Sequence, residues 1–133
     1  MGGVRGARKV QRDGITFRST LEARAYDMLA ESGLKFDYEP KSIVLIKEFL
    51  PRVPWHIGGL IQHERVRAHT YTPDFIVKAD TTHYLELKGW VTDRYPLQRK
   101  LFLQWLQKHK GEFWELHSLR DLKRCINEIK SRL

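Results

Sequence analysis

Asp74, Glu86 and Lys88 are the residues of this chain whose types and spacing can do chemistry. Asp74 follows Pro73 and opens the apolar run "DFIV"; twelve residues on, Glu86 and Lys88 stand two apart in "HYLELKG". Residues two apart in an extended strand share a face, so Tyr84, Glu86 and Lys88 point one way and Leu85 and Leu87 the other. A hairpin joining the two runs brings the three polar groups into one cleft. Two carboxylates held close together repel, and one is driven toward its protonated form unless a cation lies between them. Hard oxygen ligands of this kind suit Mg²⁺ or Mn²⁺, which polarise a phosphate and acidify a bound water. An ammonium beside them can orient the attacking water or stabilise charge developing on phosphorus. That is the chemistry of phosphodiester hydrolysis. The same residues also read as an ordinary exposed Glu-x-Lys pair and a Pro-Asp turn.

The surrounding elements must position these groups. Residues 1–14 hold Arg5, Arg8, Lys9 and Arg12 among four glycines and read as a flexible basic arm, either a plain terminus or a source of phosphate contacts. Residues 15–133 read as one domain. "STLEARAYDMLAESG" is a helix with Ser19 as N-cap, Leu21, Ala25, Met28 and Leu29 as its apolar stripe and Gly33 as its stop. Glu22 stands at capping-box spacing from Ser19, so its carboxylate either closes the cap or faces the cleft. Strands follow in "LKFDYEP" and "SIVLIKEFL", a loop in "PRVPWHIGGL", and strands in "ERVRAHTYTPDFIVK" and "HYLELKG". "PLQRKLFLQWLQKHKG" is a helix with Leu97, Leu101, Phe102, Trp105 and Leu106 toward the core, and "EFWELHS" is a strand. "SLRDLKRCINEIKSRL" closes as a helix capped by Ser118, with Leu119, Leu122, Ile126, Ile129 and Leu133 inward. This order predicts an α/β fold, a central mixed β-sheet flanked by helices, with the strand at 112–117 parallel to a central one.

Composition narrows the partners. The chain has 133 residues, 24 basic against 16 acidic, and a net charge of +8, which fits one globular domain with a polyanionic partner. No apolar run approaches the ~20 residues that span a bilayer, and the N-terminus lacks the apolar stretch of a secretory signal. One cysteine, Cys125, rules out an internal disulfide and fits a reducing compartment, so the expectation is an intracellular, cytoplasmic protein. Arg18, Arg24, Arg94, Arg99 and Lys100 read with the arm either as a DNA-backbone track or as solvated surface. Trp55 can stack on a base or anchor its loop. The six histidines show no zinc spacing, and His69 lies beside the Pro-Asp run.

"FRSTLEARAYDMLAESGLKFDYEP" (17–40), "HTYTPDFIV" (69–77) and "YLELKGW" (84–90) together resemble the phage endonuclease I family of Holliday-junction resolvases, within the PD-(D/E)xK nuclease superfamily. The similarity spans roughly residues 14–110, with "FRS-x-LE" and "HTYTPDF" its specific motifs. It implies a restriction-endonuclease-like core and catalytic residues Glu22, Asp74, Glu86 and Lys88. Glu22, Asp74 and Glu86 would hold divalent metal, two Mg²⁺ or Mn²⁺ per site. It further implies a phage-encoded homodimer that cuts branched double-stranded DNA, with Glu22 completing the partner's site. Two departures stand out: a longer Pro/Gly-rich segment before His69, where the family's chains cross, and a slightly longer turn between Asp74 and Glu86. A nuclease for other DNA, such as recombination or transposon ends, and a non-catalytic DNA-binding protein are the competing readings; intact Glu22, Asp74, Glu86 and Lys88 speak against the latter.

Overall fold

Ser19 and Gly33 bracket the first helix. Ser19 is extended and its hydroxyl accepts from the Glu22 amide, so α1 runs Thr20–Ser32, and Gly33 ends it in the left-handed region at φ 80°. In the computed structural model, which describes residues 10–89 and 94–133, α1 follows a hairpin of β1 (Val10–Arg12) and β2 (Ile15–Phe17). Asp13 and Gly14, at φ 52° and 78°, make its turn. Residues 10–14, the end of the stretch read as an arm, thus form the first strand and turn of this hairpin. Arg5, Arg8 and Lys9 of that arm lie outside the described residues, as does Trp90 of the motif at 84–90.

The fold is α/β, with a central four-stranded mixed sheet ordered β10-β9-β8-β3. β3 is Lys35–Tyr38, β8 Phe75–Lys78, β9 Thr82–Leu87 and β10 Glu112–Leu116. β3, β8 and β9 are antiparallel neighbours, while β10 runs parallel to β9 with Glu115 opposite Glu86. The parallel pair follows from the helical crossover α2 (Tyr95–Leu106) between β9 and β10. Strand alternation then divides the side chains. Phe75, Val77, Leu85 and Leu87 pack beneath α1 and α3 (Leu119–Ser131), against Leu29, Leu122 and Ile129. Ile76 and Tyr84 face α2, against Phe102 and Leu106. Each wholly buried leucine or isoleucine contributes about 1.5–3 kcal/mol relative to exposure.

α2 is turned about its axis from the expected face. Its buried residues are Tyr95, Phe102 and Leu106, and Leu97, on the far side, is 59% exposed. The helix also stops at Leu106, before the "QKHKG" tail. In α3 Ser118 caps as expected and Leu122, Cys125, Ile126 and Ile129 are buried, whereas Leu133 lies beyond the helix, exposed.

Residues 43–71 leave the sheet between β3 and β8. β4 (Ile43–Ile46) pairs with β7 (His69–Tyr71), Phe49 bridges Val66, and β5 (His56–Ile57) pairs with β6 (Leu60–Ile61) at the tip. Gly58 and Gly59, at φ 56° and 84°, form the two-residue turn there, a conformation that suits glycine at both positions. Part of the segment read as a loop is thus a hairpin, and the run read as one strand from 64 to 78 is two. Ile43 and Leu45 pack on the α2 side, while Val44 and Ile46 face outward. Among the described residues, no helix is long and apolar enough to cross a membrane.

Gly111 turns the chain into β10 at φ 128°, and a Cβ there would lie 2.7 Å from the Thr82 carbonyl oxygen and 3.1 Å from the Tyr84 ring. Gly111→Ala should cost about 2–3 kcal/mol of stability, read as a lowered urea midpoint at unchanged slope.

Candidate active site

Pro73 and Asp74 occupy the bend from β7 into β8, and both are buried. The Asp74 amide donates to the Leu85 carbonyl at 3.1 Å, and its own carbonyl accepts from the Glu39 amide at 2.9 Å. Asp74 Oδ2 accepts from the Leu87 amide at 2.7 Å. The aspartate is therefore stitched between the ends of β3 and β9. Glu86, also buried, accepts from the Tyr71 hydroxyl through Oε1 at 2.6 Å and meets Lys88 Nζ through Oε2 at 3.1 Å. Lys88 Nζ stands 4.4 Å above the Tyr95 ring centroid.

Glu22 divides its two readings between backbone and side chain. Its amide takes the Ser19 cap, while its carboxylate turns away, with Oε2 accepting from the Tyr38 hydroxyl at 2.5 Å. Arg18 links it to the strand residues: its guanidinium lies 3.7 Å from Glu22, 3.4 Å from Glu39 and 3.3 Å from Asp74. Arg18 thus links Glu22 to Asp74 of the same chain.

Burial first, then the charge of Glu86, pushes the Asp74 carboxyl up to about 8, against the Leu87 amide and Arg18. Burial followed by the neighbouring glutamates drives the Tyr71 and Tyr38 hydroxyls above the ordinary phenol range, so both remain donors. Carboxylate oxygens are the donors that hard divalent cations take, but among the described residues those of Glu22, Asp74 and Glu86 do not all gather within 4.8 Å of one another. Sequence reasoning passed over Tyr38 and Tyr71; "HTYTPD" put Tyr71 near the site, but only strand pairing aims its hydroxyl at Glu86.

The basic candidates disperse. Arg24, Arg94 and Lys100 are exposed. Arg18 is bound into the carboxylate cluster, and Arg99 turns inward to Glu115 at 2.7 Å. His69 Nε2 is buried with no hydrogen-bond partner among the described residues.

At the opposite end of β9, Asp80, His83 and Glu112 bring one ligand atom each to within 4.8 Å of one another, a candidate metal-coordinating cluster. Trp114 Nε1 donates to His83 Nδ1 at 3.0 Å, so Nε2 carries the ring proton and donates it to Asp80 at 2.7 Å. Arg132 pairs with Glu112 and lies 3.7 Å from Asp80. A metal there must displace the Nε2 proton and an arginine; these contacts already fasten α3 to the sheet.

A mixed sheet flanked by helices, carrying buried acids and a lysine at one end, defines the class of this molecule. The chain belongs to the family described as "Protein of unknown function (DUF1064)", whose model matches residues 4–123. No curated protein and no solved structure gives a significant match.

Between the ordinary value of 3.8 and about 8, folded Asp74 keeps a proton that the unfolded chain has lost. Metal-free stability from this group is full below the lower value and is lost as pH rises through the upper one. Asp74→Asn should therefore raise the melting temperature at about pH 9 in chelator and leave it near the parent's at about pH 4. Thermal denaturation at the two pH values checks this; equal shifts at both would assign the effect to packing.

Proposed function

We propose that the protein is a metal-dependent endodeoxyribonuclease of the PD-(D/E)xK type that cuts branched, four-way DNA as a homodimer. The observation that carries this reading is the convergence of Glu22, Asp74, Glu86 and Lys88, from one helix and two adjacent strands, on a single end of the sheet. The resemblance of "FRS-x-LE" and "HTYTPDF" to junction resolvases supports the substrate. Glu22, Asp74 and Glu86 would hold Mg²⁺ or Mn²⁺. Such an ion supplies Lewis-acid activation of water and phosphate when bound. Asp74 is oriented by the Leu87 amide and Glu86 by Tyr71, so neither carboxylate must reorganise to receive the ion. Lys88, held on Glu86, presents an ammonium to a non-bridging phosphate oxygen as negative charge builds. Arg18, 64% exposed at its side chain, balances the carboxylates and, with a cation in its place, would be free to meet the DNA backbone.

Cleavage of a synthetic four-way junction should require Mg²⁺ or Mn²⁺ and stop in chelator. Asp74→Ala, Glu86→Ala and Lys88→Ala should each abolish cutting and leave junction binding largely intact, because binding rests on basic residues and these groups act on the transition state. Gel-shift and cleavage assays beside a linear duplex of matched sequence check both statements. Equal cutting of the duplex would favour a nuclease for other DNA, and binding without cutting under any metal would favour a non-catalytic role.

The β4–β7 segment at 43–71, an arm projecting from the sheet, supports the dimer. Val44, Ile46, Phe49, Leu50, Val53, Ile57, Leu60 and Ile61 are each 41–72% exposed within eighteen residues of chain. An isolated two-stranded ribbon is marginal in water. Burying such side chains against a second copy would take them out of water, as the apolar centre of an interface does. A two-fold enzyme also matches the two opposed cuts that a junction requires. Sedimentation velocity should show a dimer for the parent and a monomer for the double substitution Ile57→Glu, Leu60→Glu. A monomeric parent, or a variant still dimeric, removes the arm from the interface.

A further inference from the structure

Glu115 carries charge on the same sheet face as Glu86, directly beside it in the parallel register of β9 and β10. Like charges on neighbouring strands destabilise a sheet unless they are neutralised. Three side chains converge on Glu115: the Tyr95 hydroxyl at 2.8 Å, Arg99 Nη1 at 2.7 Å and His117 Nε2 at 2.7 Å. Burial alone would raise the Glu115 carboxyl, but the bonds from Arg99, Tyr95 and His117 outweigh it and hold it below the usual carboxylate range. Each of these partners except Arg99 also touches Lys88. Tyr95 places its ring under the ammonium, and His117 Nδ1 donates to the Lys88 carbonyl at 3.0 Å. The Lys88 amide donates to the Leu116 carbonyl at 2.8 Å, so β10 grips the lysine's backbone on both sides.

We propose that Glu115 is a positioning residue that fixes Lys88 through Tyr95 and His117, while Arg99 neutralises it so that it does not draw the ammonium from Glu86. The geometry has a direct consequence. Strand pairing sets where the Lys88 backbone lies, but a long flexible side chain samples many rotamers unless its head is held. Glu86 and the Tyr95 ring hold it from two directions, and Glu115 holds Tyr95. What the held ammonium does for cleavage rests on the nuclease reading above; that Glu115 holds it does not.

The test therefore reads Lys88 itself. Acetylation by a dilute amine-reactive ester, followed at the Lys88 peptide by mass spectrometry, needs no cleavage, and exposed Lys78 is an internal reference. Glu115→Ala and His117→Ala should raise the Lys88 rate several-fold relative to Lys78. Glu115→Gln, which keeps an acceptor oxygen and the side-chain shape, should raise it less. On the four-way junction the alanine variants should lose between about ten- and a hundredfold in kcat at unchanged KM. Should Glu115→Ala not fold, His117→Ala, which removes a half-exposed ring, carries the same measurement. An unchanged Lys88 rate in the folded variants overturns the proposal, and so does a raised rate with parental kcat. A raised rate in a protein whose parent cuts no DNA keeps the positioning and sinks the nuclease reading.

Discussion

The burial of two neighbouring carboxylates at the end of an apolar sheet is the constraint on which this structure turns. Asp74 and Glu86 are only 5% and 6% exposed, and each buried ion left unpaired would cost several kcal/mol. The elements nearby are arranged so that it does not. The Leu87 amide faces Asp74, the Tyr71 hydroxyl and Lys88 ammonium face Glu86, and Arg18 reaches in from the start of α1. Even so, burial and the charge of Glu86 leave Asp74 resistant to ionisation.

The same sheet that creates the problem distributes its solution. One face is closed by α1 and α3 with aliphatic and aromatic groups, which supply most of the stability. The other mixes aromatics with charge: Tyr84 and Phe113 near the middle, then Glu86 and Glu115 toward the end under α2. Tyr95, the first residue of α2, is buried there with its hydroxyl on Glu115. Helix docking and charge satisfaction therefore meet in one residue. A helix rotated to bury Leu97 instead would lose that bond, which accounts for the face that α2 presents.

Much of this was legible in the sequence where short-range rules decide. The two serine caps, the mixed sheet, the parallel last strand and the opposition of Leu85 and Leu87 to Glu86 and Lys88 follow from spacing alone. What escaped depends on long-range pairing. Pro and Gly in "PRVPWHIGGL" masked strands of two residues each, although Gly-Gly between "WHI" and "LIQ" was a turn signal in plain view. The split of 64–78 was hidden because both halves are rich in strand formers, and only the buried bend at Pro73 separates them. Glu115 carried no signal in "EFWELHS"; its place beside Glu86 shows only when β10 is laid against β9. The Glu22 carboxylate was ambiguous because helix capping and the cleft ask for the same residue, and only tertiary packing shows it bonded to Tyr38 and beside Arg18.

The ribbon at 43–71 is inserted between β3 and β8, which are adjacent in the sheet, so the sheet closes without it. Its returning strand nevertheless ends on Tyr71, bonded to Glu86, and Asp74 follows three residues later. The excursion is thus moored at its exit to both acids, to one through a hydroxyl and to the other through the chain.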